Sequence, residues 1–269
     1  TFGLLGSNGS GKTTTLRALL GLYVPTAGTL LVDGTPFSPG SQGRRLGYLP
    51  EERGLYAKEP VLTVMTYFGQ LKGLPKAKAK AWSQEYLERV GLADRAGTRI
   101  NKLSGGQQQK VQLGVTIMNE PRILILDEPT KGFDPVNRRL LMDLVDEQRR
   151  AGATVVIITH QMDEVERLCD RILLLKDGVA EAYGTIPEVQ DRFSGRTARI
   201  RFRGPLPESG LYRVALRETN YAELTVADGV DNQQVLRTLL DSGVQLEGFQ
   251  STRISMEEIF LRVYGSQEA

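Results

Sequence analysis

Residues 6 to 14 read GSNGSGKTT and directly follow the apolar run Phe2-Gly3-Leu4-Leu5. Gly6, Gly11, Lys12 and Thr13 fall on the fixed positions of G-x-x-x-x-G-K-[ST], with Ser7, Asn8, Gly9, Ser10 and Thr14 between and beside them. Glycines let a backbone curl around an anion without Cβ clashes, so that successive N–H groups point inward at it. The next stretch, TTTLRALLG, predicts a helix whose positive N-terminal end faces the same anion. Lys12 is placed to reach the β- and γ-phosphates of a triphosphate, and the Thr13 hydroxyl to hold Mg²⁺. The competing reading is a glycine-rich strand-to-helix turn with an incidental lysine. The strand before and the helix after favour a nucleoside triphosphate site, with Mg²⁺ beside the phosphates.

Two further clusters suit phosphoryl chemistry. Asp127 and Glu128 close the aliphatic run RILILD and precede Pro129-Thr130. Transfer of a phosphoryl group to water needs a metal, charge neutralisation and an oriented nucleophile. Asp127 at the strand tip suits the Mg²⁺ shell, and Glu128, one residue further out, suits the role of base for the attacking water. The alternative for such a pair is ordinary capping of the next helix. LSGGQQQK, at 103 to 110, places a serine and two glycines at a helix start, a second anion nest. One triphosphate does not need two nests from one chain, which points to a dimer; a plain capped turn is the alternative. His160, the one histidine of the chain, follows the apolar run ATVVIIT and so falls at a strand tip.

Elements must position these residues. LTVMTYFGQLKGL, KAWSQEYLERVGL and a segment opening at Ser104 predict an inserted helical subdomain over about 61–118. In it Trp82, Tyr86, Leu87 and Val90 form a core stripe. RILILD and ATVVIITH read as strands buried on both faces, RRLLMDLVDEQRRAG and MDEVERLCDR as helices, and RILLLKDGVAEAYG as a hairpin turning at Asp177-Gly178. TAGTLLVDGTP predicts a short strand with a turn at Asp33-Gly34, and RRLGYLP a strand stopping at Pro50. Strands alternating with helices give an α/β fold with a mostly parallel sheet, whose ligand lies beyond the strands' carboxyl ends. The character changes near 194. There TARIRFRG, YAELTVA, NQQVLRTLLDSG, VQLEGFQ and SMEEIFLRVYG suggest a small α+β unit, so two domains are expected, 1–193 and 194–269.

Composition sets bounds. Hydrophobic content of 40% and charged content of 25% are those of a globular chain, and a net charge of +2 gives no case for nucleic acid. A single cysteine, Cys169, precludes an internal disulfide or a cysteine zinc cluster and reads as a small buried helix residue. No apolar run approaches the roughly 20 residues needed to span a bilayer. Lys72, Lys76, Lys78 and Lys80 read as a solvated loop, with a place near anionic headgroups as the alternative, and Arg199, Arg201 and Arg203 as an exposed strand face, with a binding site as the alternative. The strand feeding the phosphate loop starts almost at Thr1, which reads as the edge of a larger cassette with N-terminal strands missing.

In this order the phosphate loop, LSGGQ, ILILDE, the turn Gly132-Phe133-Asp134-Pro135 and a histidine after a strand resemble the nucleotide-binding subunit of an ATP-binding cassette transporter. The resemblance covers about residues 1 to 190. It implies that Ser104, Gly105, Gly106 and Gln107 act in trans, that Asp134 lies at the dimer seam and that His160 touches the γ-phosphate. It also implies a second nucleotide-binding subunit, a transmembrane permease and a place on the cytoplasmic face of the membrane. Glu51 departs from the pattern. The family usually has glutamine there, in the loop that senses Mg²⁺ and the attacking water; glutamate can still approach the metal but adds negative charge. The family's adenine-stacking aromatic falls upstream of Thr1. GYLPEERGLY and the tail SMEEIFLRVYG are similar to bacterial exporter ATPases of the sodium-, drug- and antibiotic-efflux type, which carry a small C-terminal domain.

The implied function is a motor that closes on ATP and reopens on hydrolysis to drive export. The rival is a soluble cassette ATPase acting on DNA or ribosomes, whose usual coiled-coil insertions, zinc cysteines or tandem cassette are not seen. A third option, a regulatory subunit without turnover, requires damage to Lys12, Asp127, Glu128 or His160, and all four are intact. Arg53, Leu55 and Tyr56 are expected to dock the membrane partner, because their loop joins the core to the helical subdomain. The alternative is that Leu55 and Tyr56 pack beneath that subdomain.

Overall fold

The computed structural model describes residues 1–32, 34–36, 46–193, 197–227, 229–252 and 254–265. Asp33 of the expected Asp33-Gly34 turn, and 194–196 at the expected change of domain, lie outside them. The chain divides into two compact units, Thr1–Glu181 and Ala182–Ala269.

In the first unit β1 (Phe2–Leu5) feeds α1 (Lys12–Leu19). A short antiparallel pair, β2 (Leu31–Val32) and β3 (Thr35–Pro36), follows, and then β4 (Leu46–Leu49). Three helices are inserted next: α2 (Val61–Leu71), α3 (Lys76–Arg89) and α4 (Gly105–Ile117). The chain returns through β5 (Ile123–Asp127), α5 (Pro135–Arg150), β6 (Thr154–Ile158), α6 (Met162–Leu168), β7 (Arg171–Lys176) and β8 (Val179–Thr185). The sheet order is β4-β5-β6-β1-β7-β8, and every pairing from β4 through β7 is parallel.

Local chemistry explains these elements. β5 and β6 are almost wholly aliphatic because helices cover both faces of a parallel sheet. Asp134 caps α5 by accepting from the N–H groups of Val136 and Asn137 at 3.0 and 2.9 Å, and Pro135 occupies the first helical position, where its missing N–H costs nothing. The β7–β8 turn has positive φ at both Asp177 (49°) and Gly178 (79°), the geometry that matches the twist of a two-residue hairpin. The inserted helices bury Val61, Val64, Met65, Leu87, Val111 and Leu113 in one cluster with Leu49, Leu124 and Leu126 of the sheet. Each such side chain contributes about 1.5–3 kcal/mol by leaving water. Within α3 the Trp82 and Tyr86 rings stack at 5.2 Å, as expected of core residues.

Two readings need correction. Lys76, Lys78 and Lys80 stand on α3 rather than in a loop, although all three are exposed. Lys72 is partly buried. Its ammonium donates to the Thr116 carbonyl at 2.8 Å near the end of α4, and burial lowers its pKa to about 8.

The second unit holds α7 (Ile186–Phe193), β9 (Thr197–Arg203), β10 (Tyr212–Arg217), β11 (Tyr221–Val226), α8 (Asn232–Asp241), β12 (Gln245–Thr252) and α9 (Met256–Tyr264). Its antiparallel sheet runs β10-β11-β9-β12. One face buries Ala198, Ile200, Phe202, Ala222 and Leu224 with Val235 and Leu239 of α8. On the other, Arg199 pairs with Glu223 and Arg203 with Glu247, so the arginine face is exposed as read from the alternation. The compositional break near 194 comes later than the division at 181, because α7 packs with α9 and the Phe193 carbonyl accepts from Arg262 at 3.0 Å. β10 escaped the sequence reading. It is an edge strand, exposed at every position but its first, so it shows no buried alternation.

Candidate nucleotide site

Because β1, β4, β5 and β6 run parallel, their carboxyl ends share one edge of the sheet. The segments leaving that edge carry Gly6–Gly11, Glu51, Asp127–Glu128 and His160. Gly11 precedes α1 with φ 103°, a conformation open to glycine. A Cβ at Gly6 would stand 2.3 Å from Ser10 Oγ and 2.5 Å from the Leu175 carbonyl oxygen, so only glycine fits. The first N–H groups of α1 have no acceptor within the helix, and Gly11 offers no side chain to supply one. Asn8, Gly9, Thr13 and Thr14 are exposed along this loop, and Ser7 is half-buried. Ser10 Oγ is buried with no hydrogen-bond partner. Lys12 Nζ donates to the carbonyls of Gly6 (2.8 Å) and Ser7 (2.7 Å). Burial lowers the Lys12 pKa, against the opposing pull of Glu128, Asp127 and Glu51.

Three carboxylates therefore surround one lysine. Asp127 is 8% exposed; burial raises its pKa to about 6, with repulsion from Glu51 and Glu128 adding to the shift and Lys12 and Arg17 opposing it. Asp127, Glu51 and Thr13 carry hard oxygen donors of the kind a small divalent cation takes, in a field of excess negative charge, although among the described residues no group of three or more His, Cys, Asp or Glu is gathered to hold a metal ion. Glu128 occupies the left-handed region at φ 47°, a strain of about 1–3 kcal/mol for a non-glycine residue. Its N–H donates to the Ile158 carbonyl at 2.8 Å, and its Oε1 lies 2.8 Å from His160 Nδ1. Glu51 is paired with Lys131 at 2.6 Å, so the charge it adds has a partner.

The second nest is built differently. Ser104 caps α4, its Oγ accepting from Gln107 N at 3.3 Å while Gln107 Oε1 accepts from Ser104 N at 2.9 Å. Ser104, Gly105, Gly106 and Gln107 line a concavity of about 470 Å³ with Phe133, Asp134 and Asn137, which brings the signature and the expected seam residue together. The loop after β4 links the two nests. Gln112 Nε2 of α4 donates to the carbonyls of Pro50 (3.5 Å) and Glu52 (3.1 Å), and the Arg53 guanidinium lies over Gly105, 2.4 Å from where a Cβ would stand. Leu55 and Tyr56 divide between the two readings. Leu55 packs against the helical core, whereas Tyr56 is 54% exposed with its ring 5.7 Å from that of Tyr67.

Several residues here went unnoticed in the sequence: Lys131, Gln112, and the buried Thr159 and Glu164, while Thr130 was read only as following the acidic pair. A signal existed for one. Gln109 and Gln112 are three apart on α4 and share its inward face, where Gln109 Nε2 reaches the Pro129 carbonyl at 3.4 Å.

Residues 1–131 match a family model described as ABC transporter, and residues 184–264 one described as ATP-binding protein DrrA1-3-like, C-terminal domain. The chain is 34% identical over 268 residues to the uncharacterized ABC transporter ATP-binding protein YhaQ of Bacillus subtilis, covering 98% of this chain and 89% of that one. It is 32% identical over 270 residues to Nod factor export ATP-binding protein I of Burkholderia lata, covering 99% and 88%. Its fold matches a solved dimer of the ATP-binding cassette MJ0796, in a post-hydrolysis state bound to ADP and Pi, with a TM-score of 0.62 at 26% identity over 69% of this chain and 84% of that one. The chain belongs to the ATP-binding subunits of ABC transporters. More particularly, it is an ATPase subunit whose C-terminal residues match a DrrA1-3-like unit, and a Nod factor export ATP-binding protein is among its relatives.

Proposed function

We propose that two copies of this chain, or this chain and a homologous one, close around two ATP molecules and so drive a transmembrane partner in export from the cytoplasmic face. No helix among the described residues is long and apolar enough to cross a membrane; in this reading the passage belongs to that partner. In this reading Gly6–Thr14 cradle the phosphates, Lys12 leaves the Gly6 and Ser7 carbonyls for the β- and γ-phosphates, and His160 contacts the γ-phosphate. Thr13, Asp127 and Glu51 would hold Mg²⁺, which supplies charge neutralisation on the phosphates when bound. Glu128 orients the attacking water and accepts its proton, with the His160 contact fixing the carboxylate's direction. Ser104–Gln107, beside Asp134 in their shared concavity, reach the triphosphate held by the other subunit. The membrane partner rests on the exposed aromatic face of Tyr56 and Tyr67, with Arg53 and Leu55 supporting the loop beneath. The cassette domain ends near Glu181 in this reading, earlier than the compositional break near 194, with the accessory domain beyond it.

The observation that carries this reading is Glu128, held in a strained backbone conformation at the tip of β5 and hydrogen-bonded to His160. Replacing Glu128 with glutamine keeps the shape and removes the base. We expect ATP affinity to persist, steady-state hydrolysis to fall by about 10²–10⁴-fold, and a nucleotide-bound dimer to accumulate on size exclusion. Turnover near wild type would remove Glu128 from this role.

A further inference from the structure

Behind Glu128 and His160 runs a buried polar chain that the scheme above does not use. Thr130, Thr159 and Glu164 are 1%, 0% and 4% exposed and come from three segments: the turn after β5, the end of β6, and α6. The Thr130 hydroxyl donates to Glu164 Oε1. Thr159 Oγ1 lies 3.4 Å from Glu164 Oε2 and 3.5 Å from Glu128 Oε2, placing it between the two carboxylates. Thr159 immediately precedes His160, and Thr130 follows Glu128 by two residues. One carboxylate on α6 thus ties together the two segments that bear the candidate base and the candidate γ-phosphate contact.

Such a carboxylate is expensive to bury. Burial raises the Glu164 pKa, while the Thr130 bond, the charge of Arg138 and the Thr159 bond oppose the rise. Arg138 Nε, 3.7 Å from Glu164 Oε1, is the nearby opposite charge. An apolar residue would fill the same space without that cost, so stability alone gives little reason for an acid here. Geometry gives a better one. The Glu128 backbone is strained and its carboxylate must point in one direction, so hydrogen bonds on both flanking segments limit its freedom.

We infer that Glu164 is a positioning residue for ATP hydrolysis, holding Glu128 and His160 in register through Thr130 and Thr159. This rests on the reading of Glu128 and His160 given above. Glu164 touches neither through its own atoms, so its loss should change the rate of the chemical step and leave nucleotide binding alone.

The full chain carrying Glu164→Leu, Glu164→Gln or Thr159→Val tests this, with ATP affinity measured by fluorescent-nucleotide titration and single-turnover hydrolysis measured separately. We expect Glu164→Leu to hold affinity within about twofold and to slow hydrolysis roughly 10- to 100-fold. Glu164→Gln, which keeps the shape and one acceptor oxygen, should recover part of that loss. Thr159→Val combined with Glu164→Gln should cost no more than the worse single change, because both cut one relay. Should Glu164→Leu fail to fold, the glutamine and valine variants decide. Hydrolysis within twofold of wild type in both, or affinity falling in step with rate, overturns the inference. Glu128→Gln separates the two levels. If it abolishes turnover while the Glu164 and Thr159 variants run at the wild-type rate, positioning alone fails. If Glu128→Gln itself turns over normally, the underlying reading fails with it.

Discussion

The phosphate loop and the signature turn use the same materials, serine and glycine at a helix N-terminus, and finish them in opposite ways. Before α1, Gly11 supplies no cap and the first N–H groups stay available. Before α4, Ser104 and Gln107 close a reciprocal capping box on each other. The first nest is ready for an anion as it stands. In the second, the Ser104 Oγ already accepts from the Gln107 N–H at 3.3 Å, so only its O–H remains to donate to an anion. The carboxylates beside the nests differ likewise. Asp127 is pushed up to about 6 by burial and by its acidic neighbours, whereas Asp134 is held below the usual range by hydrogen bonds from Asn137. A site that stores excess negative charge is suited to recruit a cation; one whose donors and acceptors are already matched is suited to wait for a partner.

The sharpest way to break this comparison is Ser104→Arg. If the second nest serves the other subunit's nucleotide, the variant binds ATP as a monomer with wild-type affinity yet loses hydrolysis by roughly 10²–10³-fold. Normal turnover would return LSGG to the status of a capped turn. Lys12→Ala strikes the first nest. Losing a charge-assisted contact should weaken ATP binding about 10- to 100-fold in an equilibrium titration, with folding intact. Unchanged affinity would mean that the ammonium stays on the Gly6 and Ser7 carbonyls when nucleotide is bound.

The charge difference gives a pH test. A carboxyl whose folded pKa lies near 6, above its unfolded value, binds a proton more tightly when folded, so stability falls as pH rises from about 4 to 6 and the penalty is complete above that. Asp127→Asn removes it. Allowing for partial solvation, the ligand-free variant should be more stable than wild type by roughly 1–2 kcal/mol at pH 7 and no more stable near pH 4, as read by denaturant unfolding. Equal stability at both pH values would mean that burial and the acidic neighbours do not raise the Asp127 carboxyl as described. The smallest expected effect belongs to Lys131→Ala. The Glu51–Lys131 pair is largely exposed, so its loss should leave stability almost unchanged. Freed of its partner, Glu51 should lower the Mg²⁺ concentration for half-maximal hydrolysis by about two- to fivefold. A rise instead would show that Lys131 holds Glu51 in its metal-facing position.

Much of this molecule was legible in the chain because the information is local. Gly6, Gly11, Lys12 and Thr13 declare a loop by residue type and spacing, and the strands ILILD and TVVII declare a buried parallel sheet by being almost wholly aliphatic. Asp134-Pro135 announces a helix start by cap chemistry, and Asp177-Gly178 a tight turn by its tolerance of positive φ. What the chain by itself did not disclose is what comes together from distant segments. Lys131 lies 80 residues from Glu51, Gln112 reaches back to Pro50 and Glu52, and Glu164 gathers Thr130 and Thr159. Nor does any local pattern mark β10, whose place at the sheet edge leaves it nothing to alternate against. Spacing along the sequence encodes backbone shape, because φ, ψ and capping depend on near neighbours. Partnership between buried polar groups depends on the crossover order of the sheet, and only the folded chain sets that order.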